Sequence, residues 1–169
     1  MEVYEAIRTV LAVREFQDKP VPEALEVKII EAARLTASSR NGQPWHFIVV
    51  HDRDTLRQLG AIMTSGRYNA QAAFAIVVAI DKDSPFGVSD ASRAIQSMVL
   101  TAWAEGVGSN WTGWIGMTEV AALMNIPDSK DVLAVVPFGY PTHVPIGSKK
   151  NRKTVSEVAH RDQFGHRYS

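Results

Sequence analysis

Ser38, Ser39, Asn41, Gln43 and His46 crowd into one stretch, 38–47, together with Gly42, Pro44 and Trp45. Short hydroxyl and amide side chains on a loop at the mouth of a strand are a common way to present hydrogen-bonding groups to a ligand. A turn from helix to strand, with Trp45 plugging the core, would account for the same residues. Trp111-Thr112-Gly113-Trp114 sets two indoles around a glycine. That makes either a core cluster or a flat wall for an aromatic ligand, and Gly113 lets backbone approach closely. Lys149-Lys150-Asn151-Arg152-Lys153 is either a solvated tail or an anion site, since Lys and Arg hold phosphates by charge and Arg by a fork of donors. Arg14, in Val13-Arg14-Glu15-Phe16, is either a fixed charge for a site or a surface charge paired with Glu15 or Asp18.

Other chemistries have no residues to carry them. There are no cysteines, so disulfides, thiolate metal sites, iron–sulfur clusters and cysteine nucleophiles are excluded. No phosphate loop of the Walker type and no Gly-x-Ser-x-Gly elbow is present. Gly106-Val107-Gly108 follows a helical pattern instead of opening one, so it terminates a helix and is no dinucleotide fingerprint. The five histidines show no ligand spacing on one helix face, and no metal site is expected. Net charge is zero, from 18 basic and 18 acidic residues, which argues against nucleic acid as a partner. No signal peptide and no membrane-length apolar run is visible, so a soluble cytoplasmic protein is expected.

The elements that must position these residues follow from periodicity. The 169 residues suit one domain, 1–169, and 46% are hydrophobic, enough for a core. Val3, Ile7, Val10 and Leu11 mark a short amphipathic helix. Leu25, Ile29, Ala32 and Ala33 mark a second, from Pro22 to about Leu35. A strand is expected over 47–50, and Asp52 is expected to cap a helix carrying Leu56, Leu59 and Ile62. The unbroken apolar run 74–80 reads as a strand buried on both faces. Residues 83–88 read as a loop, 90–105 as the long central helix, and 109–114 as a short strand or irregular loop. Thr118 is expected to cap a short helix over 119–124, and 132–136 is the last clear strand. The order gives helices layered against a central sheet. The tail, about 142–169, has little periodicity, yet its apolar residues suggest that it packs on something, such as a second subunit.

Five blocks in this order resemble the nitroreductase family of flavoproteins. They are Val13-Arg14-Glu15-Phe16 with Lys19-Pro20-Val21-Pro22, the 38–47 stretch, the 94–108 helix with its glycine-rich exit, Phe138-Gly139-Tyr140-Pro141, and Lys150-Asn151-Arg152. The resemblance implies an α+β fold with a mixed, mainly antiparallel sheet flanked by helices. It also implies an intertwined homodimer whose C-terminal tails wrap the partner, with FMN between the subunits. Ser38, Ser39 and Asn41 would then contact the flavin from the opposite chain. Arg14 would lie near the electron-rich edge of its ring, and Thr112, Gly113 and Trp114 would present backbone to it. Lys150 and Arg152 would hold its phosphate.

The activity implied is reduction of an electron-poor small molecule, such as a nitroaromatic or quinone, by NADH or NADPH through FMN in a ping-pong scheme. Arg14 is the one residue given a catalytic role, as a fixed charge stabilising the negative charge the ring gains on reduction. Two departures bear on this. Val10, Leu11 and Ala12 stand where family members usually carry Arg-Arg-Ser, which removes a charge and a hydroxyl from the phosphate end. One charge-assisted hydrogen bond contributes roughly 1.5–3 kcal/mol. Lys150 and Arg152, helped by Lys149 or Arg8, would compensate. If they do not, the alternative is a weak or non-binding relative acting as a flavin-binding or regulatory protein without turnover. The chain is also short between Gly108 and Ile126, so the site is expected to be open, or closed by the partner's 64–70 loop.

Overall fold

The computed structural model of the chain describes residues 1–63, 66–143 and 150–168. Its centre is β2 (Phe74–Asp81), whose first seven residues are all buried. Alternate side chains of this strand serve two cores. Phe74, Ile76, Val78 and Ile80 face α2 (Glu23–Arg34) and α4 (Gly87–Ala104). Ala75 and Val77 face α3 (Arg53–Ile62) and α5 (Met117–Leu123). The expected burial on both faces is therefore observed, within an antiparallel sheet covered on both sides by helices.

Four strands lie in the order β1 (Trp45–Val50), β2, β4 (Lys130–Gly139), β3 (Gly108–Ser109). All named pairs are antiparallel, and an isolated bridge between Ala12 and Ser109 is parallel. The expected mixed, mainly antiparallel α+β sheet is thus present. Phe74 and Phe138 stack across the central pair at 5.0 Å between centroids. Aromatic pairing of this kind adds about 0.5–1.5 kcal/mol beyond area burial.

Local signals decide most of the helix ends. Asp52 caps α3 as expected, its carboxylate accepting from the Thr55 N–H at 2.7 Å. α1 (Val3–Thr9) forms at the expected amphipathic start, and its Thr9 hydroxyl accepts from the Trp103 indole N–H of α4 at 2.9 Å. Four expected boundaries move. β1 begins at Trp45, not Phe47, because Trp45 pairs with Ile80 and the Pro44 carbonyl accepts from Asp81 N–H. α4 begins at Gly87, so Gly87 and Val88 leave the expected loop and Asp90 falls in the first helical turn. α5 is preceded by Gly116 in the left-handed region (φ 80°), and Thr118 lies inside the helix and does not cap it. β4 is twice the expected length because both its ends are paired, Asp81 with Lys130 and Gly108 with Gly139.

In the tail, α6 (Val155–Val158) is started by a capping box between Thr154 and Glu157. Val155, Val158 and Phe164 are exposed. Thr64, Ser65, Val144, Ile146 and Lys149, on which parts of the expectations fall, lie outside the described residues.

The N-terminal segment is fastened to the β3 end of the sheet. Val13 N–H donates to the Ser109 carbonyl at 2.9 Å, and Phe16 bridges Pro141. Gly108 allows this approach: a Cβ there would collide with Val13 Cγ2 and lie 2.8 Å from Val13 Cβ. Gly108→Ala is expected to destabilise the fold by about 1–3 kcal/mol, read by denaturant unfolding, through overpacking against Val13. An unchanged midpoint would show that the contact is soft.

Candidate functional site

The predicted residues fall into two groups at opposite ends of the sheet. Arg14 sits at the end where β2 begins and β4 finishes. It lines a shallow cavity of about 200 Å³ with Ala12, Val13, Glu15, Thr142 and His143. The wall is fixed by backbone: Thr142 N–H donates to the Glu15 carbonyl at 3.2 Å, and Gln17 N–H to the Tyr140 carbonyl at 2.8 Å. Arg14 is exposed and makes no side-chain hydrogen bond or ion pair among the described residues. The pairing with Glu15 or Asp18 is thus not formed. Thr142 and His143 were not singled out from sequence, because nothing in their types marks them; only the register of β4 brings them to Arg14.

Lys150 and Arg152 lie at this same end, beside α1. Lys150 Nζ donates to the Ile7 carbonyl at 2.7 Å. Its pKa is lowered, first by desolvation and then by the positive charges of Arg152 and Arg8. A partly desolvated Lys150 thus lies near two further cations, the exposed Arg152 and Arg8, which favours the arrival of an anion. Arg8 is itself bonded to Glu5 at 2.7 Å. The Arg-Arg-Ser positions add no charge here: Ala12 is held in the bridge to Ser109.

Residues 111–114 run along the outer edge of β4, from this end toward its middle. Thr112 is only 2% exposed. Its hydroxyl donates to the Val135 carbonyl at 2.5 Å, so its side chain is committed to the sheet. A Cβ on Gly113 would lie 3.3 Å from the Leu133 carbonyl. Trp114 is 97% exposed, and Trp111 is also exposed, so the two indoles do not form a core cluster.

Ser38, Ser39 and Asn41 lie at the other end, where β1 starts and β2 finishes. Ser39 N–H and hydroxyl both donate to the Asp90 carboxylate, at 2.9 and 3.1 Å. Ser38 Oγ accepts from Gln43 N–H at 3.0 Å. The Asn41 carbonyl accepts from the Gln43 amide at 3.3 Å, and its own side chain is exposed. Trp45 is buried beneath the loop and stacks near Phe47 at 6.3 Å between centroids. The loop is thus both a helix-to-strand turn over a core tryptophan and a display of polar groups. Arg40, Asn41 and Gln43 all have positive φ, as does Trp114. Four of the six such non-glycine residues among the described ones therefore fall in two predicted site segments. Strain of this kind, about 1–3 kcal/mol each, clusters where geometry serves a ligand.

Two rulers measure the separation. The eight residues of β2 span roughly 23 Å at strand rise. Asp90 to Trp103 along α4 spans about 20 Å at helical rise. No side chain bridges that distance within one chain. A larger cleft of about 430 Å³ beside Met117, Ile126, Lys130 and Leu133 contains none of the predicted residues. Among the described residues no cluster of His, Asp or Glu could hold a metal ion, and no helix is long and apolar enough to cross a membrane.

Comparison with known proteins identifies the family of the chain. Residues 8–77 and 66–140 match the model of the nitroreductase family. The "Putative NADH dehydrogenase/NAD(P)H nitroreductase" of Methanothermobacter thermautotrophicus is 37% identical over 153 residues, covering 86% of this chain and 80% of that protein. A crystal structure of the like-named protein of Parabacteroides distasonis matches with TM-score 0.89 and 31% identity, covering 96% of this chain and 98% of that one. An FMN-dependent nitroreductase of Clostridium difficile matches with TM-score 0.85 and 25% identity, covering 94% and 98%.

The chemistry of the Lys150, Arg152 and Arg8 group fits a phosphate. Inorganic phosphate is therefore expected to raise the melting temperature of the wild-type chain. Lys150→Met combined with Arg152→Met should abolish the part of the shift that exceeds phosphate's general stabilising effect. Equal shifts in both proteins would contradict an anion site there.

Proposed function

The chain belongs to the nitroreductase family, and on that premise we propose that it is an FMN-dependent oxidoreductase that uses NADH or NADPH to reduce electron-poor small molecules such as nitroaromatics or quinones. The observation that carries the reading is the cationic end of the sheet. There Arg14, without a side-chain partner among the described residues, lines a cavity, and a partly desolvated Lys150 lies near Arg152 and Arg8. Lys150 and Arg152, with Arg8, hold the FMN phosphate. Arg14 holds the ring edge and stabilises negative charge there, a preorganised charge that needs no rearrangement during reaction. Thr112, Gly113 and Trp114 set one side of the ring pocket, with Gly113 and Trp114 offering backbone and Thr112 fixing the segment, since its hydroxyl, N–H and carbonyl are all bonded to Val135. When bound, FMN supplies the redox chemistry, taking two electrons from the nucleotide and passing them to the acceptor.

The second wall comes from a partner copy. Ser38, Ser39 and Asn41 lie roughly 20 Å or more from Arg14 along the sheet, so one chain cannot close both around one small ligand. A two-fold homodimer brings the serine loop of each copy to the cationic end of the other and builds two equivalent sites. The exposed Val3, Tyr4 and Ile7 of α1 and the tail's Val155, Val158 and Phe164 supply apolar surface for that contact, with the tail wrapping the partner. The reading makes each chain one domain, working in the cytoplasm without nucleic acid or membrane partners.

One observation favours the alternative of weak FMN binding without turnover: Val10, Leu11 and Ala12 bring no donor side chain to the phosphate end. The visible spectrum of the purified protein separates the two. A stoichiometric yellow FMN complex, bleached by NADH or NADPH without oxygen and recoloured by a nitroaromatic or quinone, is expected. A colourless protein that ignores added FMN would refute the enzyme.

A further inference from the structure

Among the described residues, Asp90 is the one charged side chain that is fully buried, at 0% exposure. Three donors converge on its carboxylate. Ser39 N–H reaches Oδ2 at 2.9 Å, the Ser39 hydroxyl reaches Oδ1 at 3.1 Å, and the Arg93 guanidinium also bonds Oδ1. We propose that Asp90 is the positioning residue of the serine wall: it anchors the 38–43 loop and fixes Ser39 as a hydrogen-bond acceptor toward the flavin. The inference rests on the FMN reading above and names the part of the cofactor this wall takes.

The carboxylate stays ionised despite its burial. Desolvation pushes its pKa upward, but the Ser39 N–H, the Arg93 guanidinium and the Ser39 hydroxyl outweigh that and hold it below the ordinary value. The first turn of α4 also favours a negative charge, because free N–H groups concentrate there. An ionised carboxylate can only accept. The Ser39 proton is therefore committed to Asp90, and its oxygen offers a ligand only lone pairs.

Ser38 has the opposite polarity. Its oxygen already accepts from Gln43 N–H, which leaves its own proton to give. Of the two adjacent serines, only Ser38 keeps a proton to donate, while Ser39 presents lone pairs alone. An ionised phosphate is an acceptor on every oxygen and has nothing for Ser39. The imide N–H of the ring and the hydroxyls of the ribityl chain do. Ser39 therefore takes the ring or ribityl part of the flavin.

The anchor is also what makes the loop conformation tenable. Arg40, Asn41 and Gln43 sit at φ 55°, 56° and 48°, where side chains are disfavoured. Such residues persist only where surrounding contacts over-determine them. Asp90 is 51 positions from Ser39 in sequence, and it supplies that contact from the side of the core.

Asp90→Asn keeps the shape but removes the charge and turns one acceptor into a donor. It is expected to weaken FMN binding at least about tenfold in a flavin-fluorescence titration. It should also speed hydrogen exchange at the 38–43 amides of the ligand-free protein, while leaving phosphate-induced stabilisation at the opposite end unchanged. Leu59→Ala, in the core on the other face of the sheet, controls for lost stability. It should lower the melting temperature yet bind FMN like the wild type. Wild-type affinity in Asp90→Asn, or an equal loss in Leu59→Ala, overturns the positioning role. A wild-type chain that binds no FMN overturns the flavin reading, and this role with it.

Discussion

β2 is buried on both faces, and this constraint organises the molecule. Its side chains fill two cores, so helices must cover both faces of the sheet. Its neighbours β1 and β4 are fixed in register against it, from Trp45 opposite Ile80 to Phe74 opposite Phe138. With both faces and both edges of β2 occupied, the loops that carry the predicted serines and cations lie at its two ends. The site residues divide accordingly, hydroxyls and an amide at one end and cations at the other. The length of one strand thus sets the distance that a ligand or a partner chain must span.

The two ends differ in electrostatic logic. At the cationic end, desolvation and then the positive charges of Arg152 and Arg8 disfavour the charge on Lys150. Such a cluster is relieved by an anion. At the serine end the charge is already satisfied: Asp90 is surrounded by donors and Arg93. What remains there is directional hydrogen bonding from a strained loop.

Much of this was legible in the residues. The unbroken apolar run 74–80 announced a doubly buried strand, and Asp52 before Leu56 and Leu59 announced a capped helix. The blocks around Arg14, Ser38 and Lys150 announced the family, which the match over 8–77 and 66–140 bears out. What was hidden depends on contacts distant in sequence. Asp90 looks like a surface residue at a helix start until Ser39 covers it. Positive φ at Arg40 and Gln43 has no local signal, since neither is glycine or asparagine. Trp45 joins β1 because Ile80 pairs with it, and Gly116 precedes α5 because Ile62 leaves no room for a Cβ, which would lie 2.6 Å from Ile62 Cγ2.

The separation of the two walls makes a shared site the central claim, and subunit complementation tests it directly. Arg14→Ala and the double variant Ser38→Ala/Ser39→Ala would each be purified as inactive homodimers and then co-expressed with different tags. In the mixed dimer, the cationic end of the serine variant meets the intact loop of the arginine variant. One of its two sites is whole, so a statistical mixture should recover about a quarter of wild-type activity. Mixed dimers as inactive as either parent would contradict a site built across two chains.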